Sequence, residues 1–454
     1  MVFTPAALRQ HLPSNVRRLW VALSGGLDSV VLLHALVQLK LPTPVTALHV
    51  NHQISPHAAE WQEHCAALCS AWGVEYITQT VVVEPSGRGL EEAARTARYA
   101  VFEAHVREGD CLLTAHHADD QAETLLLRLL RGSGPRGLAA MARQRPLGQG
   151  TILRPLLDVK RSELESYAIA HQLTWVEDES NTDTHYDRNY LRQKVMPSLA
   201  LRWPDYTRRW QQSAQACAES EQLLQELAAE DLERAAPRLE RQGCSVALAV
   251  LREMSVARRH NLLRYWFRQQ RYAAPELVHL QQIDAQLIYG RADAEGEVRW
   301  GDVVVQRFRE RLYVMPSLAL TPMQELVLTP MQEESRPGLW QLINKTEACC
   351  LSANAWLTFE YCSSATPASC LRADITQVEL RWRTGGERCR PAGRAHSQTL
   401  KKLLQEHGLE PWWRERVPLV YVGGQLAAVG DLWVCADFVA SPGAPGYRLQ
   451  WHIR

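Results

Sequence analysis

A hexapeptide rich in serine and glycine near the start of the chain has residue types that could bind phosphate. It reads Ser24-Gly25-Gly26-Leu27-Asp28-Ser29 and lies between an apolar run and a helical pattern. Two glycines let the backbone turn tightly and approach an anion, while the first N–H groups of the following helix can bind phosphate oxygens. The serines add hydroxyl donors, whereas the Asp28 carboxylate would repel phosphate unless Mg²⁺ lay between them. No lysine follows the glycines, so the loop is not a Walker A motif.

A second block, His116 to Glu123, combines histidines with carboxylates. Asp120 and Glu123 are three residues apart and share one face of a helix, where they could clamp an ammonium group. An acidic first turn that merely complements the helix dipole is the alternative. His116 could stabilise charge on a phosphate or move a proton near neutral pH, with His117 as a structural neighbour.

A third group joins arginines with further histidines. Arg95 and Arg98 could reach a phosphate or a base with their planar donor forks, or they could pair with Glu91–Glu92. His52 is expected to line a nucleotide pocket and His49 to pack in the core. Two histidines without a third ligand do not predict zinc.

A βαβα pattern must bring these groups together. Short apolar runs that predict strands alternate with helical patterns: strands Leu19–Leu23, Val45–Val50, Tyr76–Val83 and Cys111–Ala115, and helices Val30–Leu39, Pro56–Trp72, Gly89–Val106 and Ala118–Leu130. Such an order predicts a parallel sheet with helices on both faces, and ligands bind at the carboxyl ends of its strands. The four strand ends carry polar residues, namely Ser24, His49–His52, Glu84 and His116–His117. We therefore expect one shared site.

The rest of the chain predicts further domains, as expected for 454 residues. We predict an α/β domain over 1–210, a helical middle domain over 211–315, a proline-punctuated linker over 316–338 and a small α+β domain over 339–454. Helices are expected at Gln215–Arg234, at Ala257–Gln270 and near Ser397–His407, and a strand pair within Leu419–Val434.

Charge and cysteine content limit the classes of function. Fifty Lys and Arg balance fifty Asp and Glu, so a nucleic-acid site must be a local patch. No apolar run is long enough to span a membrane. The eleven cysteines form no Cys-x-x-Cys pair and are expected to be reduced. Without a targeting signal, a cytoplasmic protein is expected. The oligomeric state stays open, a homodimer included.

Two stretches, Arg188–Arg209 and Arg381–Lys402, carry a local excess of basic residues, as RNA binding requires. Nearby tryptophans could stack on unpaired bases. The predicted RNA contacts are Arg188, Arg192, Lys194, Arg388, Arg390, Arg394, Lys401, Lys402, Trp412 and Arg414. The alternative is a solvated charged face with tryptophans in the core.

The hexapeptide resembles the pyrophosphate loop of the PP-loop ATP pyrophosphatases, which cleave ATP between the α- and β-phosphates. Further blocks are similar to the tRNA(Ile)-lysidine synthetase family, in its long three-domain form, over essentially the whole chain. They are His49-Val50-Asn51-His52, Gly89–Tyr99, Ala115–Thr124, Arg154-Pro155-Leu156-Leu157, Asp187-Arg188-Asn189, Arg383–Arg388 and Pro411–Arg416. The resemblance implies a Rossmann-like, adenine nucleotide alpha hydrolase-like fold.

The resemblance also implies a reaction. ATP, with Mg²⁺ at Asp28, adenylates cytidine 34 of the tRNA(Ile) that carries a CAU anticodon, and free L-lysine then displaces AMP to form lysidine. Ser24–Ser29 and His52 would bind ATP, and Asp120 and Glu123 would bind lysine. The remaining catalytic assignments are Asp28, His116, Arg95 and Arg98. The C-terminal domain would contact the acceptor stem of the tRNA.

Three rival functions fit the residues less well. A PP-loop tRNA thiolase would need paired cysteines for sulfur or an iron–sulfur cluster, and a glutamine-dependent amidotransferase would need a glutaminase unit. A catalytically silent RNA-binding module would not need the intact loop and acidic block. Turnover of ATP to pyrophosphate separates this last alternative from an enzyme.

Overall fold

The computed structural model describes residues 3–83, 89–179, 183–291, 296–317, 339–341, 347–352, 355–364 and 369–453. The chain divides into two compact units, Met1–Leu223 and Leu224–Arg454. Most of the predicted linker, and the predicted strand end at Glu84, lie outside the described residues.

A six-stranded, mostly parallel sheet forms the centre of the first unit, with strand order β3-β2-β1-β4-β6-β5. Its strands are β1 (Arg18–Ala22), β2 (Val45–Asn51), β3 (Glu75–Thr80), β4 (Asp110–Leu113), β5 (Gln144–Leu147) and β6 (Gly150–Leu153). The four predicted strands are confirmed. The short hairpin β5–β6, of which β6 pairs parallel with β4 and β5 antiparallel with β6, was not predicted.

Helices cover both faces of this sheet. The helices of the first unit are α1 (Pro5–Arg9), α2 (Leu27–Gln38), α3 (Ala58–Trp72), α4 (Leu90–His105), α5 (Ala118–Leu130), α6 (Pro135–Leu138), α7 (Arg161–Ala170), α8 (Asp187–Tyr190), a π-helical turn (Leu191–Val195) and α9 (Met196–Arg202). Successive side chains of β1 alternate between the faces. Leu19 and Val21 pack into one core with α2 and α7, whereas Trp20 packs into another with Phe102 of α4. This double coverage explains why the strands read as continuous apolar runs.

The long helix α10 (Tyr206–Arg234) continues past the boundary between the units, and the middle part of the chain follows it. Its remaining helices are α11 (Leu248–Glu253), α12 (Val256–Gln269) and α13 (Leu277–Gln282). Both predicted helices are confirmed. The structure adds an unpredicted antiparallel sheet in the order β7-β8-β11-β10-β9. These strands are β7 (Arg238–Leu239), β8 (Cys244–Ala247), β9 (Glu297–Trp300), β10 (Val303–Phe308) and β11 (Arg311–Pro316).

Two antiparallel sheets and two short helices share one core in the C-terminal part. The elements are β12 (Leu339–Gln341), β13 (Glu347–Ser352), β14 (Ala355–Cys362), β15 (Cys370–Arg372), β16 (Gln377–Arg381), β17 (Arg388–Cys389), β18 (Gln398–Thr399), α14 (Leu400–His407), α15 (Pro411–Arg414), β19 (Leu419–Val422), β20 (Gln425–Val429), β21 (Trp433–Val434) and β22 (Gly446–Ile453). The small α+β class and the strand pair within 419–434 are confirmed. Over the described part of the chain, no helix is both long and apolar enough to cross a membrane.

Candidate active site

The loop between β1 and α2 is held open by its own hydroxyl groups. The Ser24 backbone N–H donates to Ser29 Oγ (3.2 Å), and the Ser29 hydroxyl donates to the Gly26 carbonyl (2.9 Å). The two serine hydroxyls lie 3.1 Å apart. Gly26 is the N-cap of α2 and has no side chain to cap it, so the first N–H groups of the helix are directed at whatever occupies the loop.

Gly25 allows this loop to form. Its φ is +86°, in the left-handed region that disfavours a side chain. A Cβ atom there would lie 3.0 Å from both Cys65 Sγ and Val176 Cγ2. The carbonyl of Gly25 also accepts a hydrogen bond from the Val176 N–H (3.0 Å). Packing and backbone conformation therefore both require glycine.

The loop contacts the start of α5 through His117. This residue is the N-cap of α5, and its Nδ1 accepts a hydrogen bond from the Asp120 N–H (3.4 Å). Its Nε2 lies 3.6 Å from Asp28 Oδ2 and 3.4 Å from Asp120 Oδ2. Burial disfavours its protonation, but Asp120 and Asp28 outweigh burial and raise the pKa of His117. The histidine predicted to be structural is thus a helix cap that also contacts the nucleotide loop.

Two arginines bind the two carboxylates that were predicted to bind the substrate lysine. Glu123 Oε2 accepts from Arg188 Nε (2.8 Å), and Glu123 Oε1 accepts from Arg192 Nε (2.7 Å). Asp120 Oδ1 lies 3.1 Å from Arg188 Nη2 and 3.2 Å from Arg192 Nη2. We call these four side chains the carboxylate–arginine cluster. Burial alone would raise the pKa of Asp120, but the positive charges of His117 and Arg188 outweigh burial and lower it.

The cluster bears on one prediction, which stays untested. Arg188 and Arg192 were expected to bind RNA phosphates, but their guanidinium groups are half-buried and paired with Asp120 and Glu123. They come from α8 and the π-helical turn, far along the chain from α5, so sequence alone gave no sign of the pairing. Lys194 is exposed, and its contact with RNA stays a prediction.

His116 lies beside the cluster and is neutral at pH 7. Burial is the main cause that lowers the pKa of His116 to about 4, and Arg154, Arg188 and Arg95 act in the same direction. Its Nδ1 is 2.9 Å from Thr114 Oγ1. His116 therefore does not titrate near neutral pH, as a proton shuttle at that pH would. His116 can serve instead as a neutral hydrogen-bonding group.

The predicted nucleotide-pocket histidine behaves similarly. Burial, followed by Arg98 and His49, lowers the pKa of His52 to about 4, and its Nδ1 is buried without a hydrogen-bond partner. His49 is buried and hydrogen-bonded to the Leu23 carbonyl (2.8 Å), as its core assignment predicts. Arg95 is exposed, with its guanidinium 5.0 Å from the centre of the Tyr99 ring.

Asp28 is the residue best suited to a cation. Its Oδ1 is buried and has no hydrogen-bond partner among the residues that the structure describes. A carboxylate oxygen at a phosphate-binding loop fits Mg²⁺, which prefers one or two carboxylates together with phosphate oxygens. Within the described ranges, no group of three or more His, Cys, Asp or Glu side chains could hold a metal by itself.

The basic stretch of the C-terminal part is exposed but partly neutralised. Arg390 pairs with Asp437 and Arg394 with Glu406, both at 2.7 Å. The other predicted cations on this surface are exposed, namely Arg388, Lys401 and Lys402. Exposed ion pairs contribute little free energy, so such arginines can exchange a carboxylate for a phosphate at small cost.

Two predicted RNA contacts, Trp412 and Arg414, are half-buried and contact other residues of the protein. Trp412 packs edge-on against Tyr313 (ring centres 5.2 Å apart) and Phe308 (6.2 Å). Arg414 donates from Nε to the Leu409 carbonyl (2.9 Å). These ring contacts favour the alternative, in which Trp412 is a core residue, while its stacking role on RNA stays a prediction.

Comparisons with known proteins agree along the whole chain. Family models match residues 5–199 as a PP-loop domain, 246–313 as a TilS substrate binding domain and 378–451 as a TilS substrate C-terminal domain. Each match falls inside one predicted domain range, whose boundaries stay predictions. The chain is 41% identical over 454 residues to the tRNA(Ile)-lysidine synthase of Serratia proteamaculans, covering 98% of both chains.

The enzyme of the same name from Alkalilimnicola ehrlichii is 40% identical over 455 residues, covering 98% of this chain and 96% of its own. Among solved structures, the U34-tRNA thiolase NcsA from Methanococcus maripaludis is 17% identical, with a TM-score of 0.41, and covers 47% of this chain and 78% of its own. So slight a structural likeness has no bearing on function.

Proposed function

Because this chain belongs to the tRNA(Ile)-lysidine synthase family of ATP-using ligases, we propose that it joins free L-lysine to C2 of cytidine 34 in the tRNA(Ile) with a CAU anticodon. The cytosine would first be adenylated at its C2 oxygen, with release of pyrophosphate. The ε-amino group of lysine would then attack C2 and displace AMP.

The juxtaposition of a phosphate loop and a carboxylate cluster carries this proposal. His117 bridges the two, because its Nε2 lies within 3.6 Å of carboxylate oxygens of both Asp28 and Asp120. A reaction between a nucleotide and an amine needs an anion site next to a cation site. The start of α2 supplies the first and the start of α5 the second.

Nucleotide binding rests on the loop. The N–H groups at the start of α2 and the hydroxyls of Ser24 and Ser29 would bind phosphate oxygens. Mg²⁺ held by Asp28 would offset the charge of the phosphates when bound. His116, neutral at pH 7, would donate or accept a hydrogen bond at the α-phosphate without adding charge.

Lysine recognition rests on a surplus of negative charge. Four carboxylates, those of Asp28, Asp119, Asp120 and Glu123, surround His117 and two arginines. Because Asp120 and Glu123 already bind guanidinium groups, they are shaped to accept nitrogen donors. The ε-ammonium group of lysine would replace some of the hydrogen bonds that Arg188 and Arg192 donate to these carboxylates.

RNA binding would involve the exposed cations. We propose contacts from Lys194 in the first unit and from the basic surface of the second unit, formed by Arg388, Arg390, Arg394, Lys401 and Lys402. Neutralisation of RNA phosphates by such residues makes affinity fall with rising salt.

Labelled lysine tests the reaction. Purified protein, ATP, Mg²⁺ and unmodified tRNA(Ile) bearing CAU should incorporate lysine, while a methionine tRNA with the same anticodon should not. The Glu123→Gln variant should incorporate far less lysine, yet still release about one pyrophosphate per tRNA, because adenylation precedes lysine binding. Asp28→Ala should lose both steps.

An exposed acidic residue provides the matched control. Asp374 is exposed and pairs with Arg372 at the surface of the second unit, so Asp374→Asn should keep both steps. If the wild-type protein releases pyrophosphate with tRNA but accepts no lysine, the amine is a different one. If Glu123→Gln incorporates lysine normally, the lysine site has been misplaced.

A further inference from the structure

Three arginines converge on one tyrosine beside the site. The guanidinium groups of Arg95 and Arg145 lie 5.0 and 5.1 Å from the centre of the Tyr99 ring. Arg95 and Tyr99 are one turn apart on α4, Arg145 is on β5, and Arg154 directly follows β6. We call these four residues the arginine–tyrosine cluster.

The described residues do not neutralise the positive charge of this cluster. In the described part of the chain, no carboxylate forms an ion pair with Arg95, Arg145 or Arg154. Arg154 is only 4% exposed, donates from Nη1 to the Ala142 carbonyl (2.6 Å), and leaves its buried Nε without a partner. Burying a charge without a counter-charge is costly. An anionic ligand would remove that cost.

The field of the cluster acts on its neighbours. Burial alone would raise the pKa of Tyr99, but the pKa is lowered by the positive charges of Arg95, Arg154 and Arg145. Arg154 and Arg95 also add to the effect of burial in keeping His116 neutral. The cluster is therefore adjacent to the predicted catalytic histidine.

The position of the cluster in the sheet separates it from the nucleotide loop. The strand order runs β1, β4, β6, β5, and neighbouring strands are about 4.8 Å apart. Arg145 is on β5, which thus lies roughly 14 Å from β1. The loop after β1 has its own hydrogen-bond donors, in the start of α2 and in the serines. His116 follows β4, whereas Arg145 and Arg154 come from β5 and the end of β6, so the cluster can serve an anion other than the one in the loop.

We propose that the arginine–tyrosine cluster binds the phosphodiester backbone of the RNA substrate beside the nucleotide that reacts. This inference rests on the proposed function, in which an RNA base must enter the site. The planar forks of arginine bind phosphate with two parallel hydrogen bonds. The ring of Tyr99 holds Arg95 and Arg145 close together in spite of their repulsion.

Arg145→Gln tests the proposal, and Arg143→Gln is its matched control. Both arginines are half-buried and two residues apart, but Arg143 is already ion-paired with Asp158. Binding of unmodified tRNA(Ile) should be measured by fluorescence anisotropy over a series of salt concentrations, and KM for ATP in parallel. Circular dichroism and melting temperature would confirm that each variant folds.

Arg145→Gln should weaken tRNA binding about tenfold, as expected for one charged hydrogen bond. The slope of log affinity against log salt should also become shallower by about 0.7 to 0.9. KM for ATP should stay unchanged, and Arg143→Gln should match the wild type. Arg154→Lys, which keeps the charge but loses the fork, should weaken tRNA binding by less.

Two results would overturn the proposal. A raised KM for ATP with normal tRNA affinity would assign the cluster to the nucleotide, and unchanged values of both would make it structural. The proposed function can fail separately. A wild-type protein that shows this Arg145-dependent tRNA binding but incorporates no lysine would keep the RNA site and lose the reaction.

Discussion

Substitution of Gly25 by alanine should destabilise the first unit and remove nucleotide binding. At a φ of +86°, a residue with a Cβ atom costs about 1–2 kcal/mol. The added methyl group would also lie 3.0 Å from Cys65 Sγ and from Val176 Cγ2, and such overpacking costs about 1–3 kcal/mol. Together the free energy of unfolding should fall by about 2–5 kcal/mol.

A second glycine separates the two causes. Gly73 also has a positive φ (+67°) and closes α3, but nothing lies within 4 Å of the position of its Cβ. Gly73→Ala should therefore cost only the conformational part, about 1–2 kcal/mol. Adding Cys65→Ala to Gly25→Ala removes one of the two close contacts and should restore part of the stability.

Thermal unfolding followed by circular dichroism measures these differences, and ATP-dependent release of pyrophosphate in the presence of tRNA reports on the loop. For a unit of this size, 1 kcal/mol shifts the melting temperature by about 2–4 °C. The reasoning is refuted if Gly25→Ala melts no lower than Gly73→Ala and still releases pyrophosphate at the wild-type rate.

Three further predictions concern titration, packing and thiol reactivity. Since the pKa of His116 is about 4 in the folded protein, below that of an unfolded histidine, the unfolded state binds more protons than the folded state between pH 4 and 6.5. The free energy of unfolding should therefore decrease as the pH is lowered from 6.5 to 4, and His116→Gln should flatten a plot of melting temperature against pH. Asp284→Asn should cost about 3–5 kcal/mol in urea unfolding, because it strips the fully buried Arg259 of its bidentate partner, whereas exposed Asp374→Asn should change stability by less than about 0.5 kcal/mol. Burial raises the pKa of the Cys65 thiol to about 12, so native protein should resist alkylation there by iodoacetamide, as mass spectrometry of its peptides would show; rapid labelling would contradict the burial.

The sequence predicted the first unit well because its signals are local. Buried parallel strands appear as apolar runs, and a glycine-rich turn followed by a helix is visible in six residues. The ends of β1 and β4 met as expected, which brought Asp28 close to the start of α5. The hairpin β5–β6 was missed because its strands have four residues each and little periodicity.

Long-range pairing could not be predicted. A count of basic residues shows that Arg188 and Arg192 add positive charge, but not that Asp120 and Glu123 will neutralise it. Trp412 is likewise a residue type that can stack on bases, and only the folded chain shows that Tyr313 packs against its ring. The antiparallel sheet of β7 to β11 was missed because its strands have two to six residues each and the neighbouring helical patterns are stronger.

The carboxylate–arginine cluster also limits how this chain can change over generations. Glu123 accepts hydrogen bonds from both Arg188 and Arg192, and Asp120 pairs with the same two. Substitution of any one of the four leaves a charged partner with too few hydrogen bonds, so a single substitution should lower the stability. A second substitution in the cluster would be needed to compensate. Mutations at the four positions should therefore be strongly epistatic, although the paired residues are about 65–72 residues apart along the chain.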